Sequence, residues 1–298
     1  EDPSVDLTSY QVIPGVHGYE FDLAEAKQQF QNLAYGESTL ISLHYTDPEI
    51  ADEDAYFQDV LGHCETPHGD NENRNGNLRK ACGMLDGLVL QPGQELSYNE
   101  ALGPRTKELG WLPAPAYSGT KLVDSPGGGI CQVSSTLYYC AMVSNLKINT
   151  RTSHYFPVAY IEPGMDATVS WGGPEFKFTN NRDYPIEIKA YVQNGSVTVE
   201  IWGTDVDGSY VKMSYTANGL RATTYRTVYD KDGKQISHTL EANSTYHSHD
   251  TTPKPTPTPS TAPQPTPTPS TAPKPTPTPQ PQPTPYPSVY DPGDAGED

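Results

Sequence analysis

Gly127-Gly128-Gly129-Ile130-Cys131-Gln132-Val133-Ser134-Ser135-Thr136-Leu137 is the stretch on which the reading of this chain turns. Three glycines run into a cysteine, and the apolar spacing after it predicts a helix that stops near Asn145. Glycine permits positive φ and close approach of a neighbouring group. A helix N-terminus offers unpaired N–H groups and partial positive charge, which favour thiolate over thiol. A cysteine at that position differs chemically from one in a core. Cys140 shares a helix face with Val133, Leu137 and Ala141 and reads as a small buried hydrophobe.

The chain has four cysteines in 298 residues. Along a helix Cys131 and Cys140 stand about 13 Å apart, at about 1.5 Å per residue. A disulfide spans at most about 7 Å between Cα atoms. The two are therefore not expected to pair. Cys64 and Cys82 flank a segment read as a polar loop, and a disulfide between them is expected.

The formal charge is −18, and Lys27 is the only Lys or Arg before Arg74. That balance argues against nucleic acid and against anionic membrane surfaces. No stretch is apolar for long enough to span a bilayer, so no direct membrane insertion is expected. The 20 tyrosines suit a β-rich, extracellular-style surface. The chain opens on Glu1-Asp2-Pro3 without an initiating Met, and a mature secreted or cell-surface form is expected.

Around the central stretch the pattern predicts an α+β protein. Residues 1–60 read as a small α/β segment. It has a helix over 24–33 with Asp22 as N-cap, a strand over Thr39 to Tyr45, and an acidic helix from Asp47-Pro48 to Val60. Residues 61–78 read as loop, Leu78 to Leu85 as a short helix, and 103–126 as irregular. After the cysteine helix an antiparallel β-meander is expected, with strands at 147–151, 155–161, 167–171, 175–179, 186–192 and 197–202. Asn194-Gly195 marks a tight hairpin between the last two. Residues 209–248 carry more strand signals, with a hairpin at Lys231-Asp232-Gly233-Lys234. From about Thr251 the chain is a ten-residue Pro/Thr repeat that cannot bury a core, a disordered spacer with an acidic end. The boundaries read are 1–60, 61–206, 207–249 and 250–298.

A nucleophilic cysteine needs a nearby base and a group that orients the base. His154 is the next histidine after Cys131, and Asp166 follows across a turn. A Cys-bearing helix packed on strands carrying His and then Asp is the layout of transglutaminase-like and papain-like enzymes. Arg74 and Arg105 belong to the first cluster of positive charge and could hold a carboxylate or phosphate. Gly127, Gly128, Gly129 and Gln132 complete the expected substrate-binding set, with the amides of Cys131 and Gln132 facing a developing oxyanion. Trp111, Tyr117, Trp171 and Trp202 could stack on sugar, although aromatic residues in short strands are more often core. His63, Cys64, His68 and Cys82 match no compact zinc spacing, and no metal or cofactor is expected.

The chain resembles the VanW family, named from vancomycin-resistance clusters of Gram-positive bacteria. The resemblance covers roughly Leu61 to Gly203. It rests on Asn73-Arg74 with Asn77-Leu78, Gly87-Leu88-Val89-Leu90-Gln91-Pro92-Gly93, Ser97-Tyr98-Asn99, Leu102-Gly103-Pro104-Arg105-Thr106, Gly110-Trp111 and Gly127 to Ser134. Arg151, His154, Pro157-Val158, Tyr160, Pro163-Gly164, Asp166-Ala167-Thr168-Val169, Asn180 and Tyr184-Pro185-Ile186 continue it. Residues 10–60 resemble the end of a peptidoglycan-binding segment, and 209–248 a G5-like β region. The family usually shows His-x-His-Ser where this chain has Thr152-Ser153-His154-Tyr155, which concentrates any histidine role on His154. The resemblance implies an extracytoplasmic envelope protein of a Gram-positive bacterium, acting near peptidoglycan with that polymer or a wall peptide as partner, and a monomer is expected. Two functions stay open at this point. One is a Cys131/His154/Asp166 amidase, peptidase or acyltransferase. The other is a non-catalytic wall-binding or accessory module with a structural Gly-rich loop.

Overall fold

Ile186, Ile188 and Ala190 alternate with polar residues, and Val197, Val199 and Ile201 do the same, each set buried on one face. Between them Asn194 and Gly195 take φ of 52° and 80°, two successive left-handed residues that close a tight hairpin whose twist suits the strands. This hairpin is the centre of the computed structural model, which describes residues 1–118 and 120–248. The Pro/Thr-rich tail from 250 lies outside the described residues.

In chain order the elements are β1 (Ser4–Val5), β2 (Val12–Ile13), β3 (Gly18–Glu20), α1 (Leu23–Gln31), β4 (His44–Thr46), a 3-10 turn (Asp52–Asp54), β5 (Asp59–Pro67), α2 (Glu72–Leu85), β6 (Leu88–Leu90), β7 (Glu95–Ser97), α3 (Tyr98–Leu102), β8 (Pro113–Ser118), β9 (Lys121–Pro126), α4 (Ile130–Val143), β10 (Lys147–Thr150), β11 (Lys177–Thr179), β12 (Ile186–Gln193), β13 (Ser196–Gly203), β14 (Tyr210–Asn218), β15 (Arg221–Tyr229) and β16 (Gln235–Thr245). The class is α+β, and the pairings are antiparallel throughout.

The main sheet has the order β5-β13-β12-β6. Helix α4 packs on β5 and β13, α2 packs on β12, and the helices touch each other. Leu78 and Leu85 from α2 meet Val133 and Leu137 from α4 over the sheet's Ile186, Ile188, Val197 and Ile201. Asn71 caps α2, accepting from the Arg74 amide at 2.9 Å. Asn71→Ala is expected to cost about 1 kcal/mol of stability, read as a shift in the urea midpoint at unchanged slope.

Several expectations are corrected here. The sheet under α4 is not a meander that follows it, because β5 and β6 come from before the helix. Residues 155–161 and 167–171 form no strands, and side-chain hydrogen bonds rather than a ladder fix the path of 151–176. Residues 61–67 are strand, not loop. Their inward side chains are Gly62, Cys64 and Thr66, too small or polar to give an apolar alternation. The expected acidic helix is a 3-10 turn followed by β5, and 103–126 carries the β8–β9 hairpin. Segment 1–55 holds two short ladders and α1, capped as expected by Asp22. Phe30 and Leu40 remain exposed on that segment.

The expected Cys64–Cys82 disulfide is absent, and all four cysteines are free thiols. Cys64 sits on the inner face of a sheet strand and Cys82 on the inner face of α2, rather than at the ends of one loop. Burial pushes each thiol up to about 12 and the Cys140 thiol well above its ordinary value.

Candidate active site

The glycine run is explained by what presses on it. Gly127 and Gly129 take φ of 78° and 105°, Gly129 standing at the N-cap of α4. A Cβ on Gly127 would come within 2.9 Å of the Arg105 stem, and one on Gly129 within 2.7 Å of the Arg74 stem. On Gly128 it would meet the Ala114 carbonyl oxygen of β8 at 2.2 Å. The missing side chains let two arginines lie against the turn that starts the cysteine helix. Cys131 is the second residue of α4 and is partly exposed. Ile130 donates its amide to the Gly127 oxygen at 3.3 Å and Gln132 to that of Gly129 at 2.9 Å. The Gln132 amide, one of the two expected oxyanion donors, is therefore occupied.

Segment 166–169 is riveted to α4. Ser134 Oγ donates to the Ala167 oxygen at 2.7 Å, and the Ala167 amide donates to Ser135 Oγ at 3.0 Å. The Val169 amide donates to Cys131 Sγ at 3.4 Å, and Thr168 Oγ1 lies 3.7 Å from the sulfur. Tyr160 donates its hydroxyl to the Cys131 oxygen at 3.3 Å. Burial is the largest influence on the Cys131 thiol and pushes its pKa up. The His154 hydrogen bond and charge, with the Val169 amide, outweigh it, so the thiol is held below its ordinary value.

His154 and Asp166 lock together. Asp166 Oδ2 accepts from the His154 backbone amide and meets His154 Nδ1, both at 2.7 Å. With Nδ1 engaged, Nε2 is the nitrogen left for Cys131. Burial lowers the imidazole pKa, but Asp166 and Cys131 outweigh it and hold it up at about 9. Asp166 is fully buried, yet the His154 bond and the Arg151 charge outweigh desolvation and hold it at about 2. The two shifts run in opposite directions, the Cys131 thiol down and the His154 imidazole up, each partly caused by the other.

A family model described as VanW like protein matches residues 73–202. Over 211 residues the chain is 33% identical to the uncharacterized protein YoaR of Bacillus subtilis (strain 168), covering 67% of this chain and 68% of that relative. The chain belongs to the VanW family. It is also 30% identical over 153 residues to the vancomycin B-type resistance protein VanW of Enterococcus faecalis (strain ATCC 700802 / V583). That match covers 50% of this chain and 54% of the relative, about half its length. No solved structure matches.

Cys131, His154 and Asp166 all fall inside the VanW match, as do Arg74 and Arg105. Arg74 Nη2 donates to Gln132 Oε1 at 2.7 Å, and Arg105 donates to Gly103 and Asn99. Among the described residues neither arginine has an acidic partner within ion-pair distance. Gln132 is not open to a ligand as expected, since Nε2 is committed to Thr66 and Pro67 while Oε1 takes Arg74. The aromatic residues scatter. Trp111 is core, Trp202 lies on the main sheet, Trp171 is exposed with Arg105 6.0 Å from its ring centre, and Tyr117 is exposed with its ring centre 4.9 Å from that of Phe156.

Sequence reasoning missed two partners of Asp166. Arg151 Nη2 donates to Oδ1 at 3.1 Å and Arg151 Nε to the Asp166 backbone oxygen at 2.6 Å. Tyr246 donates its hydroxyl to Oδ1 at 2.5 Å. Arg151 stood in the VanW motif and could have been assigned as a carboxylate partner. Tyr246 lies beyond the matched residues and carried no local signal.

Proposed function

We propose that this VanW-family chain is an extracytoplasmic cell-envelope protein that cleaves or transfers an amide of a wall peptide. Cys131 is the nucleophile, His154 the acid and base, and Asp166 its orienter. The observation that carries the reading is the opposite displacement of the Cys131 and His154 pKa values, with His154 Nδ1 pinned to Asp166 at 2.7 Å. The order Cys, His, Asp resembles that of transglutaminase-like enzymes. Similarity to a protein named for vancomycin resistance supports the envelope setting.

The chemistry follows from the atoms. Thiolate Sγ attacks the amide carbonyl carbon, and the oxyanion takes the Cys131 amide as donor. The C–N bond breaks as the leaving amine takes the proton from His154 Nε2, which leaves a thioester on Cys131. Water or a second amine then gives a proton to Nε2 and displaces the sulfur, restoring the thiolate–imidazolium pair. Arg74 and Arg105, without acidic partners of their own, are placed to hold a carboxylate on the substrate.

The test is incubation of purified peptidoglycan with wild type and with Cys131→Ala, the fragments being compared by mass spectrometry. New or lost peptide bonds are expected with wild type alone. Identical products from both, with the protein retained on sacculi in a pulldown, would leave a non-catalytic wall-binding module.

A further inference from the structure

We infer that the sheet β14–β15–β16 is a working part of the Cys131 site, and that Tyr246 is a positioning residue whose hydroxyl fixes the Asp166 carboxylate that orients His154. The inference rests on the reading of Cys131 and His154 as a paired nucleophile and base.

The two oxygens of Asp166 divide their work. Oδ2 takes both contacts to His154, and Oδ1 takes Tyr246 and Arg151. The direction of the tyrosine bond is set by its other partner. Tyr246 Oη accepts the Gly164 amide at 2.6 Å, so its single proton is free to point at the carboxylate. The second support of Oδ1 leads back to the end of β16, just before Tyr246, because Arg151 Nη1 donates to Ser244 Oγ at 2.7 Å while Nη2 also reaches the Gly164 oxygen. A carboxylate with a donor on each oxygen cannot rotate without breaking one, and this one loses a support for Oδ1 if residues 244–246 leave.

The sheet is anchored where such a role needs it. Arg226 of β15 donates Nη1 to the Leu146 oxygen at 2.8 Å, just past α4, and Nε to Glu241 at 2.9 Å. A Cβ on Gly164 would stand 2.6 Å from Thr224 Cγ2, so the turn before Asp166 rests directly on β15. The His247 amide donates to the Tyr155 oxygen at 2.8 Å, and the two rings stack at 4.0 Å. Tyr155 follows His154 directly. The sheet therefore holds the chain beside the histidine as well as the aspartate. Residues 244–247 all lie outside the family match at 73–202.

The test uses the full chain and needs no substrate. Cys131 thiolate displaces iodide from iodoacetamide, and the rate against pH gives an apparent thiol pKa, with the site of alkylation read by mass spectrometry. Wild type is expected to titrate below a free thiol. In Tyr246→Phe the curve is expected to move up by about one unit, roughly tenfold slower alkylation on the acid side, with cooperative melting retained. The sign separates placement from electronics. An Oδ1 stripped of its donor but held in place is a stronger base and would steady the imidazolium, moving the curve down. A downward or absent shift in folded Tyr246→Phe, with wild type still depressed, overturns the inference alone. An ordinary thiol profile in wild type overturns the paired-site reading and the inference with it. If Tyr246→Phe does not fold, Ser244→Ala, which removes the strand's hold on Arg151 Nη1 and leaves Tyr246 in place, is expected to shift the curve upward, and a wild-type profile there overturns the inference.

Discussion

Alkylation of Cys131 at about pH 6.5 is expected to fall steeply, by about 100-fold, in His154→Gln, since the variant removes the charge and hydrogen bond that hold the thiol below its ordinary value. In wild type the imidazolium outweighs the desolvation of a sulfur set against Val169 and Thr168. Glutamine keeps bulk but brings no charge, so burial then decides, and a buried thiol resists ionisation. The other three cysteines are an internal control. All are buried with raised pKa values, so the folded protein should carry a single adduct. Several adducts at equal rates from wild type, or an unchanged rate in the variant, would sink the assignment of His154.

The same pair sets a pH signature for stability. His154, raised from 6.5 to about 9, contributes stability that is complete below 6.5 and lost as pH rises through about 9. Cys131, lowered from 9.0, contributes stability that is complete above 9.0 and lost as pH falls through its native value. Between 6.5 and 9 the two slopes oppose each other, and below 6.5 the histidine's contribution is constant. The melting-temperature difference between wild type and His154→Gln should therefore not grow toward acid below about pH 6.5, and should shrink there as the Cys131 thiolate takes up its proton. A difference that grows toward acid would contradict the pairing.

What the sequence disclosed, it disclosed through local signals. The helix at Ile130–Val143 showed because glycine stops before it and Val133, Leu137, Cys140 and Ala141 repeat at helical spacing. The Asn194-Gly195 hairpin showed because its turn chemistry is specific. His154 and Asp166 were legible as chemistry in the right order, but not as geometry, because nothing local says that Ala167 bonds Ser134 and Ser135. Strand β5 was illegible for a physical reason. Its inward Gly62, Cys64 and Thr66 let α4 come close, and close packing wants small residues rather than apolar ones. The error at 155–171 is the reverse case. Apolar and aromatic residues there suggest strands, whereas Phe156, Met165, Ala167 and Val169 are buried from an irregular path. Tyr246 could not be found, since its partner lies 80 positions away.

Gly128→Ala is expected to be the costliest single methyl added to this molecule. Gly128 does not need positive φ, so the penalty is steric. The new Cβ would sit 2.2 Å from the Ala114 oxygen and 2.5 Å from its carbon, both main-chain atoms of β8. Neither side can yield cheaply. Gly128 donates its amide to the Ser125 oxygen at 3.0 Å and gives its own oxygen to Asn77 Nδ2 at 3.0 Å. Ala114 is itself buried and paired with Ser125 across the hairpin. Overpacking a rigid site costs about 1–3 kcal/mol, and backbone against backbone belongs at the top of that range or beyond. At about 2–4 °C per kcal/mol for a chain of this size, the melting temperature should drop by about 10 °C. Gly87→Ala provides the comparison. That residue has φ of 75° but open space around its Cβ, so only the conformational term of about 1 kcal/mol applies. The displaced turn also carries the start of α4, so Gly128→Ala should slow Cys131 alkylation even below its melting point, while Gly87→Ala should not. Equal melting losses in the two variants would show that the close contact with β8 does not hold the cysteine helix in place.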